Sequence, residues 1–154
     1  MKSSRHQSRF IAIQALANYL FTNMDDSLET VLGIQHAENI DTDYLQTLYQ
    51  QTLSMLASLK PLIVNTIKKN FDHLDYILQS VLYLATYELT VTKLDIGIVI
   101  NEYVTLTKRF VDDLDYKLVH KVIHDINQNQ RIVHASQATE VTGITTMAES
   151  NIVM

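Results

Sequence analysis

Two glutamates in apolar surroundings are the residues of this chain that could perform acid–base chemistry. Glu88 stands in the run VLYLATYEL, and Glu102 follows Asn101 in DIGIVINEYVTLTKRF. A pair of carboxylates can supply a general acid and a general base when both lie near one substrate. A buried carboxylate can also be a structural acceptor for a tyrosine hydroxyl or a neighbouring helix end, because burial without hydrogen bonds is costly. We favour the structural interpretation and predict that neither glutamate is catalytic.

Six histidines raise the alternative of a metal site. His120 and His124 are four residues apart, which places them on one face of a helix where they could ligate one ion. The stretch reads HKVIH, however, and lacks the glutamate of the zinc-protease motif HExxH. No third ligand is evident from the sequence. We therefore interpret both as surface histidines and predict no metal and no other cofactor.

Composition excludes several other classes of chemistry. The chain has no cysteine, which excludes disulfides and thiolate chemistry, and only three glycines, which cannot build a dinucleotide site. No apolar run approaches the roughly 18 residues that a membrane span requires. We predict a non-enzymatic protein of the cytoplasm that makes no membrane contact.

Charge is segregated along the chain, although the net charge is -5. The first 24 residues contain no acid, whereas residues 25–59 contain six acids and no lysine or arginine. A local basic patch suits phosphate contacts even on an acidic protein. The alternative is a solvated N-terminus without a binding role. The basic residues of the first segment are Lys2, Arg5 and Arg9, with His6 among them.

Hydrophobic periodicity predicts an all-α fold with about seven helices in a single domain, residues 1–127. The fifth helix is apolar nearly all round and should therefore be central. Pro61 is predicted to end the third helix and to lie in the first turn of the fourth. Residues 128–154 show no steady period and are predicted to form a mobile tail. The predicted helices cover about residues 4–21, 27–34, 43–59, 61–71, 73–92, 96–110 and 113–127.

Two stretches of the chain resemble the NusB family of bacterial antitermination factors. RHQSRFIAIQAL, Arg5 to Leu16, is similar to the opening of the family, where an arginine-rich segment leads into an Ala-x-Gln-Ala-Leu helix. VLYLATYEL, DIGIVINEYVTLTKRF and KLVHKVIHDI follow the order and spacing of the family's C-terminal half. The resemblance implies two small packed helical bundles and assigns Glu88, Asn101 and Glu102 to a structural signature.

The resemblance also implies a function and a set of contact residues. Family members bind the boxA segment of nascent single-stranded RNA together with the ribosomal protein NusE, within the antitermination complex of RNA polymerase. By position, the implied RNA-binding residues are Lys2, Arg5, His6, Arg9, Lys117 and Lys121. The implied partner-binding residues are Leu78, Leu114 and Leu118.

Departures from the family pattern keep other functions open. Tyr83 replaces an arginine, Gly97 replaces a helix-starting proline, and Leu118 replaces a phenylalanine. One alternative is therefore a NusB-fold interaction module that has lost specific RNA binding. Another is the N-terminal domain of a ribosomal RNA cytosine methyltransferase, although the reactive cysteines of that enzyme are missing here. Monomer and homodimer are both open, since some family members dimerise through the surface that others give to the partner.

Overall fold

The computed structural model describes residues 3–35, 38–110 and 115–131 of the 154-residue chain. The predictions for Lys2, for Leu114 and for the tail beyond residue 131 lie outside the described residues. Within them the structure is helical and contains no strand, which confirms the all-α prediction. The helices are α1 (Ser4–Thr22), α2 (Ser27–Gln35), α3 (Thr42–Ser54), α4 (Leu56–Val64), α5 (Tyr76–Thr90), α6 (Ile96–Phe110) and α7 (115–131), with a 3-10 turn at Phe71–His73.

Local capping fixes where α1 begins and ends. The Ser3 side chain accepts a hydrogen bond from the backbone N–H of His6 at 3.1 Å. Asn23 ends the helix in the left-handed region at φ 58°, and its N–H donates to the carbonyl of Tyr19. Both caps satisfy backbone groups that the helix itself leaves unpaired. The Ser3 cap holds the basic first turn of α1 in a defined position.

The helices pack as two groups that share α5. α1 contacts α2 and α3, α5 contacts α4 and α6, and both α1 and α3 also contact α5. The twelve residues from Leu78 to Leu89 in α5 are all buried, which confirms the prediction of a central helix. α7 adds Val119, Val122, Ile123 and Ile126 to the same core. No helix among the described residues has the length and apolar character of a membrane span.

The predicted break between the third and fourth helices is wrong in position. The chain turns at Met55, whose N–H donates to the carbonyl of Thr52 at 3.0 Å, and α4 starts immediately afterwards. Pro61 lies inside α4, where its ring removes one helical hydrogen bond. The early turn allows Leu59 and Ile63 to be buried together.

Three other boundaries differ from the sequence prediction, and one of them is the start of the fifth helix, which lies at Tyr76 instead of about residue 73. The fourth helix ends at Val64 instead of continuing to Phe71, which belongs to the 3-10 turn. α7 continues to residue 131, four residues beyond the predicted end of the domain. The sixth helix has the predicted bounds, Ile96 to Phe110.

Candidate nucleic-acid interface

The basic start of α1 is divided between the interior and the surface. Arg5 and Arg9 are four residues apart and share one face of α1, but Arg5 lies in the first turn and Arg9 one turn further into the helix. The Arg5 side chain is 60% exposed, whereas His6 and Arg9 as residues are 6% and 4% exposed. These cations therefore have different chemical roles.

Arg9 forms a bidentate ion pair with Glu88, a buried carboxylate of α5. Its Nε donates to Glu88 Oε2 at 2.8 Å, and its Nη2 donates to Glu88 Oε1 at 3.3 Å. Arg9 Nη1 lies 3.3 Å from Glu102 Oε2 on α6. Burial acts to lower the pKa of Arg9, but the hydrogen bond and charge of Glu88 raise it above its ordinary value. Arg9 thus joins α1 to α5 and α6 as a permanently charged group.

Glu88 also accepts hydrogen bonds from two tyrosines. The hydroxyl of Tyr103 on α6 donates to Oε2 at 2.6 Å, and the hydroxyl of Tyr44 on α3 donates to Oε1. Burial, followed by the charge of Glu88, raises the pKa of both tyrosines. The carboxylate accepts four hydrogen bonds in all. This is the tyrosine-bonded structural role predicted for Glu88.

His6 completes this buried network from the first turn of α1. Its Nδ1 lies 2.8 Å from Glu102 Oε2, so Glu102 stands between His6 and Arg9. The adjacent Asn101 is exposed. His6 and Arg9 are buried and are paired with carboxylates, and their contact with RNA stays a prediction. We refer to His6, Arg9, Tyr44, Glu88, Glu102 and Tyr103 as the buried network.

Arg5 is the cation of this segment that stays at the surface. Its guanidinium carbon lies 4.7 Å from the centroid of the Tyr44 ring, a cation–π contact. Asp41 is only a loose partner, with Oδ2 4.0 Å from Arg5 Nε. Arg5 and Tyr44 line a cleft of about 300 Å³ together with Tyr87 and Thr92. An exposed, weakly paired arginine beside aromatic rings can bind a phosphate or a base.

The end of α6 presents two cations that the sequence analysis did not identify as contacts. The Arg109 guanidinium carbon lies 3.7 Å from the centroid of the Phe10 ring, and Phe10 stacks on Phe110 at 4.9 Å. Lys108 Nζ lies 4.3 Å from the centroid of the Tyr116 ring. Both cations are exposed. The signal for them was present in the sequence, because a basic pair closes the last turn of α6, where the helix dipole favours positive charge.

α7 presents Lys117 and Lys121 on its exposed face. Lys121 Nζ lies 3.4 Å from Asp125 Oδ2, one turn further along. A hydrogen bond from His124 is the main cause that lowers the pKa of Asp125, and Lys121 adds to it. His120 and His124 are exposed, and no group of three potential ligands that could hold a metal ion occurs among the described residues.

The predicted partner-binding leucines are not the exposed apolar residues. Leu78 is 4% exposed and belongs to the core, and Leu118 is half-buried. An exposed aromatic pair is formed by Phe21 at the end of α1 and Tyr76 at the start of α5, two residues before Leu78. These residues are 74% and 43% exposed, and their ring centroids are 5.9 Å apart. The family resemblance indicated Leu78 by position, and position along the chain does not show which side chains are exposed.

Comparison with known proteins places the chain among similar sequences and folds. The model of the NusB family matches residues 6–128. A protein of Sulfurimonas denitrificans named transcription antitermination protein NusB is 29% identical over 133 residues, covering 83% of this chain and 99% of the relative. The protein of the same name from Shewanella woodyi is 32% identical over 127 residues, covering 80% and 95%. A crystal structure of the antitermination factors NusB and NusE in complex with double-stranded RNA has a TM-score of 0.76 at 22% identity, covering 84% of this chain and 99% of that one.

Proposed function

Since the chain belongs to the NusB family, we propose that it is a transcription antitermination factor that binds boxA-type single-stranded RNA together with a ribosomal protein of the NusE type. Its partners in this role are the RNA, the ribosomal protein and the antitermination complex of RNA polymerase. It works in the cytoplasm, where transcription takes place in bacteria, and it catalyses no reaction.

The division of the basic segment is the observation that carries the RNA part of the proposal. Arg9 is enclosed by Glu88 and Glu102, whereas Arg5 stays exposed on the Tyr44 ring. Tyr44 is itself held by its hydrogen bond to Glu88. The buried network thus positions an exposed guanidinium without neutralising it. Such a group suits RNA, which is recognised through phosphate charge and stacking.

The RNA-contact residues of the proposal are the exposed cations. Arg5, Lys117 and Lys121 keep the role predicted for them, and Lys2 remains a prediction. Lys108 and Arg109 join them, because they are exposed at the end of α6 and next to Tyr116 and Phe10. His6 and Arg9 are paired with Glu102 and Glu88, and in this proposal they maintain the fold. This assignment predicts that RNA affinity falls steeply with salt, as expected for phosphate contacts.

The exposed aromatic pair is the proposed contact for the ribosomal protein. Tyr76 is two residues before Leu78, the residue that the family resemblance indicated, and the Phe21 ring contacts the Tyr76 ring. Both aromatic side chains are accessible, whereas Leu78 is buried. Aromatic residues contribute a large share of the binding energy in protein interfaces. Leu114 remains a prediction, and the half-buried Leu118 has limited surface to offer.

The proposal is tested by the binding of boxA-type RNA and of a scrambled control, each with and without the NusE-type protein. We expect the protein to prefer the boxA sequence, and we expect the ribosomal protein to strengthen this binding. A Phe21→Ala/Tyr76→Ala variant should lose the effect of the ribosomal protein and keep its own RNA affinity. The matched control is Ile98→Ala, which removes an exposed apolar side chain from α6. Equal or absent binding to both RNAs by the folded protein, with the partner present, contradicts the proposal.

The alternative function is an interaction module without specific RNA binding. The exposed aromatic pair favours it, because protein binding at Phe21 and Tyr76 does not require the basic residues. Under this alternative the ribosomal protein binds and the variant of the aromatic pair weakens that binding. The two RNAs would then bind equally weakly whether or not the ribosomal protein is present.

A further inference from the structure

A groove beside α7 brings Lys121 together with Lys68 and Lys69, two lysines that the family resemblance did not indicate as contacts. It lies between α7 and the segment that follows α4, and its volume is about 170 Å³. Aliphatic side chains form its floor and lysines form its rim. We call it the α7 groove; its floor is Ile67, Leu118 and Val122, and its rim is Lys68, Lys69 and Lys121.

The groove is a fixed product of helix packing. Ile67 and Val122 are 9% and 2% exposed, so its floor is part of the core. The side-chain amide of Asn129 donates to the hydroxyl of Thr66 at 3.3 Å and joins α7 to the segment on the other side. The lysines on the rim are therefore carried by two elements with a defined separation.

The rim is positively charged because two of its lysines have no acidic partner. Among the described residues, no carboxylate forms an ion pair with Lys68 or Lys69, and both are exposed. Lys60, by contrast, lies 2.8 Å from Asp72. In a chain with a net charge of -5, unpaired lysines on one rim create a local positive potential. Such a surface attracts a polyanion.

The groove is continuous with the surface proposed above for RNA. Lys121 and Asp125 line the α7 groove, and they also line the shallow depression that contains Lys117 and His120. A strand bound at Lys117 and Lys121 therefore continues to Lys68 and Lys69, and among the described residues that line the groove and the depression Asp125 is the one acid. The charge of Asp125 is balanced by Lys121 at 3.4 Å.

We propose that the α7 groove is a further phosphate-contact site for single-stranded RNA, in which Lys68 and Lys69 bind the backbone beyond Lys117 and Lys121. This inference rests on the proposed RNA-binding function. No aromatic ring lines the groove, so a base cannot stack there, and the contact is with phosphate and ribose. The groove therefore adds affinity and salt dependence but no sequence preference.

The salt dependence of RNA binding tests this proposal directly. For single strands, each phosphate contact contributes about 0.7 to the slope of log affinity against log salt. The Lys68→Gln/Lys69→Gln variant should therefore lose about 1.4 from the slope, by equal amounts on boxA-type and scrambled RNA. Lys68→Arg/Lys69→Arg keeps both charges and should keep the slope of the wild type. The matched control Lys60→Gln/Lys93→Gln removes two charges outside the groove and should also keep it.

The possible failures of the two proposals are distinguishable. If the glutamine variant keeps the wild-type slope while Arg5→Gln weakens binding, the groove does not bind RNA and the proposed function stands. The groove would then suit a different ligand, such as an acidic peptide with an aliphatic side chain. If Lys60→Gln/Lys93→Gln lowers the slope as much as Lys68→Gln/Lys69→Gln does, the decrease reflects the net charge of the protein. The groove proposal is then overturned. If the folded wild type binds neither RNA, both proposals fail.

Discussion

The buried network and the α7 groove hold charge in opposite ways. In the network, Arg9 is enclosed by Glu88 and Glu102, and Glu88 accepts further hydrogen bonds from two tyrosines. In the groove, Lys68 and Lys69 are exposed and have no acidic partner among the described residues. Desolvated charges need partners to be tolerated at all, whereas exposed charges cost little and remain free for a ligand.

The difference separates residues that maintain the fold from residues that bind. Glu88 and Glu102 belong to the Tyr-Glu-Leu and Ile-Asn-Glu segments by which the chain resembles its family. Their partners come from α1, α3 and α6, so one network joins both groups of helices. Removing a charge from the network should therefore reduce stability, and removing one from the groove should reduce only binding.

The largest effect is expected from Arg9→Met. This substitution keeps much of the side-chain volume but leaves Glu88 and Glu102 without their shared cation. Breaking a buried ion pair on one side costs about 3–5 kcal/mol. Urea unfolding should show this loss in the free energy of unfolding, and Arg9→Met/Glu88→Gln should recover part of it. A loss below about 1 kcal/mol, as for a surface pair, would contradict the structural role of Arg9.

A smaller loss is expected from Tyr103→Phe. Tyr103 is fully buried, and its hydroxyl donates to Glu88 at 2.6 Å. Removing this donor leaves the carboxylate short of one hydrogen bond and should cost about 1–3 kcal/mol in urea unfolding. Tyr87→Phe is the matched control, because the Tyr87 hydroxyl forms no hydrogen bond to the described residues. Equal losses in the free energy of unfolding for both variants would show that the hydrogen bond from the Tyr103 hydroxyl to Glu88 does not stabilise the fold.

Alkaline pH should weaken the fold through its buried tyrosines. Burial raises the pKa of Tyr49 and Tyr83 to about 12, and burial with the charge of Glu88 raises the pKa of Tyr103 well above its ordinary value. The unfolded chain releases these protons near pH 10. The folded state holds them more tightly, so this stability is complete below about pH 10 and is lost as pH rises toward the folded pKa values. Urea unfolding from neutral pH to about pH 11 should show the decline, and Tyr103→Phe should make it shallower.

The smallest effect on stability is expected from Arg5→Gln. Arg5 is largely exposed and only loosely paired with Asp41, so the free energy of unfolding should change by less than about 0.5 kcal/mol. RNA affinity should nevertheless fall, and the salt slope should decrease by about 0.7. Fluorescence anisotropy with labelled RNA and thermal unfolding of the same sample measure both quantities. If Arg5→Gln lowered the free energy of unfolding nearly as much as Arg9→Met does, Arg5 would also maintain the fold, and the two arginines would not differ in role.

Sequence periodicity predicted those helices, α5 and α6, whose pattern of apolar residues is strong and regular. α6 was predicted with the bounds Ile96–Phe110, and α5 was predicted to be central because it is apolar all round. The boundary between α3 and α4 was missed, because proline is a strong local signal and the burial of Leu59 and Ile63 depends on tertiary packing. Tertiary packing therefore determined that the chain turns at Met55 and not at Pro61.

The site was predicted less well, because residue type does not determine burial. His6 and Arg9 were assigned to RNA by their position in the family resemblance, which does not show whether a side chain is buried. A signal for Arg9 was present, since Arg9, Ile13 and Leu16 follow the spacing of the buried stripe of α1. Lys68 and Lys69 carried no local signal, because their role depends on α7 packing beside them.

One measurement tests the division of roles most directly: the RNA affinity of Arg5→Gln/Lys117→Gln compared with that of Tyr103→Phe, at a temperature where both are folded. We expect the first variant to bind boxA-type RNA more weakly with unchanged unfolding, because it removes exposed cations. We expect Tyr103→Phe to unfold more easily and to bind the RNA as the wild type does. If the folded Tyr103→Phe protein loses affinity as strongly as the double variant, the buried network takes part in binding, and the separation of fold from function is wrong.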